Sequence, residues 1–215
     1  MNSMSQNIEI PSYIHRFKLN FSKRDQLISD ILKDYSVCKN IEDLDFTERT
    51  TSFMRLFFGG SMPDYSGMDI VNEFMDSMFD AFEEYVKHYK LNVGSFNCFR
   101  IWYAIYEKGD QSFAHHHIST GNFSGVYFLK FNKEKHNPTF FSNLPPAPEL
   151  INPLAICPEL EEGDLVFFPS SINHGSFPNE SDEVRICLAF DIVSSNVSKE
   201  MHKKVPDKFS FLQNV

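Results

Sequence analysis

The chain has 215 residues, 42% of them hydrophobic and 23% charged, which suits one folded domain and excludes disorder throughout. Its 29 Asp and Glu against 20 Lys and Arg give a net charge of −9, which disfavours a phosphate-tracking nucleic-acid binder. No apolar run reaches the roughly 18 residues of a membrane span, and the N-terminus shows no secretory pattern, so the sequence reads as a cytoplasmic protein without membrane contact.

The first half reads helical. Ser22 precedes KRDQLISDILKDY, with Asp25 three residues on as in a capping box. Leu27, Ile28, Ile31, Leu32 and Tyr35 then recur at helical spacing. A second helix is expected from about Gly67 to Tyr89, where Ile70, Phe74, Met78, Phe82 and Val86 form an i+4 stripe that Met75, Phe79 and Tyr85 widen. Such a stripe is expected to pack on a sheet rather than to bind a partner. From Phe96 the apolar runs become short, β-branched or aromatic, and broken by Gly, Pro, Asn and Asp. Strands are expected at 96–106, 112–117, 123–131, 138–142, 164–169 and 183–193, a pattern of sandwiches and barrels. The Pro-rich stretch 143–160 reads as a crossing loop and the polar tail after Ser194 as a short helix or a loosely held end. The division expected is a helical supporting region at 1–95, a β core at 96–195 and a tail at 196–215, all in one structural domain.

Four cysteines, Cys38, Cys98, Cys157 and Cys187, lie at irregular spacings and read as reduced thiols. Twenty-three phenylalanines are explained more simply by an AT-rich coding sequence than by a Phe-lined site.

The chemistry concentrates in the second half. His115, His116 and His117 stand in a row, and His174 follows in PSSINHGSF. On a strand, His115 and His117 share a face and His116 points away. Two imidazoles at i, i+2 reach one metal, and His174 can add a third from a neighbouring strand; imidazole suits Fe, Zn, Cu and Ni alike. A histidine row is also a common surface patch, but this one leads into the apolar run SGVYFLKF. Arg185 lies in EVRICLAFDI on the face of Cys187 and Ala189, an interior face with spare room. A buried guanidinium needs an anion. Either Asp191 or a glutamate serves it structurally, or a carboxylate-bearing cosubstrate does.

The segments WYAIYEKGDQSFAHHHISTGNFSGVYFLKF and EEGDLVFFPSSINHGSFPNESDEVRICLAFDI resemble the 2-oxoglutarate- and Fe(II)-dependent oxygenases. They are most similar to a subfamily common in marine bacteria and their phages, so a bacterial or phage source is implied. The resemblance spans roughly residues 100–192. It implies a mainly β fold, a double-stranded β-helix (jelly-roll) core with flanking helices. Carried over by position, His115, His117 and His174 become the iron ligands, and Arg185 grips the far carboxylate of 2-oxoglutarate. Tyr127 becomes a cosubstrate contact, unless the hydroxyl belongs at 128, where this chain has Phe. The implied cofactors are Fe(II), 2-oxoglutarate and O2, with ascorbate as a reductant. The implied reaction is hydroxylation of an unknown small molecule or protein side chain, with release of succinate and CO2. One departure stands out. Most of the superfamily places Asp or Glu where this chain has His117, and Asp110 is too far round a turn to replace it.

A cupin-type dioxygenase or isomerase is the rival reading. Gly109, His115 and His117 fit the start of that family's first motif, but its glutamate is missing, and Ser171 stands where its second motif has glycine. A third reading is a jelly-roll binding module without activity. Trp102 and Tyr103 are candidates for lining the pocket.

Overall fold

The computed structural model describes residues 13–39, 53–58, 68–142 and 155–195. In chain order these form β1 (His15–Lys18), α1 (Arg24–Cys38), β2 (Phe53–Phe58), α2 (Met68–His88), β3 (Ser95–Tyr106), β4 (Ser112–His115), β5 (Phe123–Lys130), β6 (Thr139–Ser142), β7 (Asp164–Pro169), β8 (Asn173–Ser176) and β9 (Arg185–Ser195). The six-stranded sheet runs β1-β7-β5-β9-β3-β2 and the three-stranded sheet runs β4-β8-β6, every pairing antiparallel. This is the jelly-roll expected from the sequence.

The long central strands have two buried faces, and the sequence separates them. On one face Ile101, Tyr103, Ile105, Tyr127, Leu129, Leu165, Phe167, Leu188 and Phe190 meet the helices. There α2 contributes Val71, Phe74, Met78, Phe82 and Tyr85, all fully buried, and α1 contributes Leu27 and Ile31. Each such side chain stabilises the fold by about 1.5–3 kcal/mol. The stripe expected on the second helix is therefore core, as its period required. Gly125 stands opposite Phe190 on this face, where an added Cβ would lie 2.2 Å from the Phe190 ring. Its missing side chain is what lets that ring lie across the strand. On the other face, Val126, Phe128, Val166, Phe168 and Cys187 pack with Phe141 and Ile172 from the small-sheet side. This second, smaller core is the interior in which the histidines lie.

Several expectations change. The half that read as helical supplies β1 and β2, one at each edge of the large sheet. Their runs, HRFK and FMRLFF, are too short for periodicity to declare them, and their pairing with β7 and β3 decides. The capping box does not form. Lys23 is the N-cap of α1 and no side chain caps it, because Ser22 falls one residue early, in the preceding turn. The strand expected at 112–117 ends at His115 after a register shift. NHGS, which looks like loop, is the buried strand β8. Residues 143–154 of the Pro-rich stretch and the tail after 195 lie outside the described residues; Ile156 bridges back to Phe141. Among the described residues no helix is long and apolar enough to cross a membrane.

Candidate metal centre

Pairing of β4 with β8 sets His115 directly opposite His174. His117 lies two residues beyond His115, held by its backbone N–H donating to the Ser170 carbonyl at 2.9 Å. The three rings converge, with centroids 4.5–5.0 Å apart, and one ligand atom from each lies within 4.8 Å of the others. His116 is exposed and stands outside the cluster. Asp110 also stands outside it; its carboxylate accepts from the Glu107 N–H and closes the Lys-Gly-Asp turn.

The hydrogen bonds behind the rings choose the tautomer. His115 Nδ1 lies 2.7 Å from the Phe113 carbonyl and His174 Nδ1 3.1 Å from the Ile172 carbonyl. His117 Nδ1 lies 2.7 Å from Asp191 Oδ1. A carbonyl or an ionised carboxylate only accepts, so each Nδ1 carries the hydrogen and each Nε2 keeps a lone pair for a metal. Protonation does not compete near neutrality at two of them. Burial lowers the pKa of His115, aided by His117, and burial with both neighbouring histidines lowers that of His174 well below the usual 6.5.

The inward face of β9 carries Arg185, Cys187, Ala189 and Asp191 in alternation. Its two charged ends do different things. Asp191 is fully buried and receives His117 and Ser124 on Oδ1, and Arg100 and Thr120 on Oδ2. Burial opposes its ionisation, but the hydrogen bond from His117, the charge of Arg100 and the Ser124 hydroxyl overcome this and hold its pKa at about 2.

Arg185, at the other end, is 2% exposed. It donates to the Asn137 carbonyl, the Ser176 hydroxyl and Thr139 Oγ1, all neutral, and its buried Nε has no partner among the described residues. The rings of Tyr106, Phe128 and Phe131 pack around the guanidinium at 4.8–5.7 Å. The structural partner considered for it, Asp191, is occupied by Arg100 and His117 instead. Ser176 lies two residues beyond His174 on β8, so the cation's contacts sit about 7 Å along the strand from the histidines.

Tyr127 does not join this group. It packs against Phe74 on the helix side of the sheet, with its hydroxyl buried and unpartnered among the described residues. Phe128 takes the inward position beside Arg185. Of the two pocket candidates, Trp102 lies 5.6 Å from His117, while Tyr103 faces the helices and donates to Asp34. Sequence reasoning missed Asp191 as a partner of His117, and missed Ser176 and Thr139. The parity of β9 was the available signal, since Asp191 shares the face of Arg185.

Comparison with known proteins bears on the family and the fold. Residues 100–191 match the model of a family described as "Putative 2OG-Fe(II) oxygenase". The match is to the 2-oxoglutarate- and Fe(II)-dependent oxygenases, as the resemblance had it. No curated protein matches the chain by sequence. Among solved structures, a Pseudomonas putida prolyl-4-hydroxylase aligns with TM-score 0.55 at 12% identity, covering 87% of this chain and 94% of that one. A Trichoplax adhaerens prolyl hydroxylase, in complex with a hypoxia inducible factor peptide fragment, aligns with TM-score 0.56 at 12% identity over 90% of this chain and 88% of its own. HygX from Streptomyces hygroscopicus, with nickel and 2-oxoglutarate bound, aligns with TM-score 0.55 at 10% identity, covering 85% and 83%. At these identities the likeness is one of fold.

Proposed function

We propose that this chain is an Fe(II)- and 2-oxoglutarate-dependent dioxygenase that hydroxylates a C–H bond of its substrate and releases succinate and CO2. The observation that carries the reading is Arg185, a buried cation with only neutral partners among the described residues, placed along the interior from three histidines whose ligand atoms converge. A buried charge without a counter-ion is costly, and a bound carboxylate removes the cost. Four C–C bonds of about 1.5 Å, zigzagging, let a five-carbon dicarboxylate cover roughly 5 Å. That suits a molecule chelating a metal at one end and meeting Arg185 at the other. A cupin has no use for this cation.

His115, His117 and His174 would hold the iron through Nε2, and the donor set fits, being three neutral imidazoles with fixed tautomers. Iron with 2-oxoglutarate supplies the O2-dependent decarboxylation and C–H oxidation that no side chain can perform. The protein's part is placement and exclusion of water. Arg185, with Ser176 and Thr139 beside it, orients the far carboxylate. Phe141, Phe168 and Trp102 wall the histidines with apolar surface. Residues 96–195 carry the chemistry in this reading, while α1 and α2 support the outer face of the sheet and β1 and β2 its edges. The substrate is a small molecule or a protein side chain, since the net charge of −9 disfavours nucleic acid.

The test is uncoupled turnover. With Fe(II), ascorbate, O2 and 2-oxoglutarate but no second substrate, the protein should form succinate slowly, and His174→Ala should form none. Equal succinate from both proteins would contradict the proposal.

A further inference from the structure

Three neutral imidazoles leave the full double charge of a metal uncompensated. The structure holds a carboxylate one imidazole ring further out. Asp191 lies 2.7 Å behind His117 Nδ1 and is completely buried. Its four short contacts, from His117, Ser124, Arg100 and Thr120, span 2.6–2.8 Å and fix both oxygens. His115 and His174 are backed by backbone carbonyls instead. The arrangement at His117 is therefore distinct from the other two, and it brings a negative charge up to the cluster.

We propose that Asp191 is the positioning residue of the metal centre, supplying through His117 the charge and orientation that a carboxylate ligand would have given directly. A carboxylate accepting from Nδ1–H makes the imidazole a stronger donor at Nε2 and locks the ring plane. Arg100 moderates this. Its Nε donates to Asp191 Oδ2 at 2.6 Å while its guanidinium stacks over Trp102 at 4.9 Å, so the cation shares the charge that His117 draws on. Ser124 and Thr120 hold the carboxylate in line without adding charge.

This inference rests on the metal-centre half of the proposed function and not on the cosubstrate half. It is tested on the full chain with Co(II) alone, following the d–d absorption and the quenching of Trp102 emission, with no 2-oxoglutarate and no turnover. Asp191→Asn should weaken Co(II) binding about 10–100-fold, the usual range for loss of an outer-shell partner. In a His117→Ala background the same substitution should change affinity less than threefold, because Asp191 acts only through that ring. A merely structural Asp191 would weaken binding equally in both backgrounds and overturn the proposal. Arg100→Gln gives a test of opposite sign that leaves the buried carboxylate in place. It should tighten Co(II) binding several-fold by freeing the charge of Asp191, and a loss or no change would overturn the proposal even if Asp191→Asn failed to fold. A wild-type protein that bound no metal would remove the metal centre itself, whereas normal wild-type binding unaffected by Asp191→Asn would remove only the role of Asp191.

Discussion

Replacing Arg185 with Met should separate folding from function. Among the described residues the guanidinium donates hydrogen bonds only to the Asn137 carbonyl and two hydroxyls, and its Nε has no partner. Methionine keeps much of the stem and removes a buried, uncompensated charge. Such exchanges are often neutral or stabilising. The hydroxyls of Ser176 and Thr139 lose a donor but can reorient, so the net change in stability should stay within about 1–2 kcal/mol of zero. Cosubstrate binding should change far more. A carboxylate on the guanidinium forms two charge-assisted hydrogen bonds of about 1.5–3 kcal/mol each. Losing about 3–6 kcal/mol at about 1.4 kcal/mol per decade weakens 2-oxoglutarate binding roughly 10²–10⁴-fold. Anaerobic calorimetry on the Co(II)-loaded proteins measures this. Trp102, the single tryptophan and 5.6 Å from His117, reports metal loading in the same samples. The reasoning fails if Arg185→Met binds 2-oxoglutarate within threefold of wild type. It also fails if the variant loses the metal, which would make the guanidinium part of the scaffold.

Three further outcomes follow from individual residues. Tyr127→Phe removes a buried hydroxyl that has no partner among the described residues, so it should raise stability by up to about 1 kcal/mol in urea unfolding and leave 2-oxoglutarate affinity unchanged; a weakened affinity would put Tyr127 back at the cosubstrate. Gly125→Ala would press a methyl group into the Phe190 ring and should cost about 1–3 kcal/mol by the same assay, with wild-type stability contradicting the close approach. Metal-free protein should lose stability on acidification in two stages. Folding lowers the pKa values of His115 and His174, so the unfolded chain binds more protons, and their contribution is full above about pH 6.5 and falls below it. Folding also lowers Asp191 from 3.8 to about 2, so its contribution is present above about pH 4 and is lost towards pH 2. Saturating Co(II) should add most stability at high pH and steepen the first stage, since it binds only the neutral rings while the unfolded chain still takes up protons, and melting curves that do not move between pH 8 and 5 would contradict the assignment.

The sequence disclosed the site unevenly, for physical reasons. The convergence of His115 and His117 was legible because i, i+2 on a strand puts two imidazoles on one face whatever surrounds them. Arg185 was legible because β9 alternates large and small residues. The second helix was legible because Phe74, Met78 and Phe82 repeat at its period. The orientation of SGVYFLKF was not, since both faces of β5 are buried, one by helices and one by the interior, and a run apolar on both faces carries no parity signal. Tyr127 was a candidate through the resemblance, and nothing in the pattern of β5 opposed it. β8 was hidden for the opposite reason. Asn-His-Gly-Ser is polar, with His174 in the histidine cluster and Ser176 accepting from Arg185, so it reads as loop although all four residues are buried. Asp191 needed register as well as parity, because only the folded turn after β4 brings His117 against it.

The central claim is that three histidines and one arginine form a single centre for a metal and a 2-oxo acid. Anaerobic titration of metal-free protein with Fe(II) and then 2-oxoglutarate, followed by visible absorbance, tests it most directly. The account predicts a weak charge-transfer band that appears only with both, is absent in His174→Ala and is diminished in Arg185→Met. Tight iron binding with no band would contradict the cosubstrate role of Arg185, and failure to bind iron would contradict the metal centre itself.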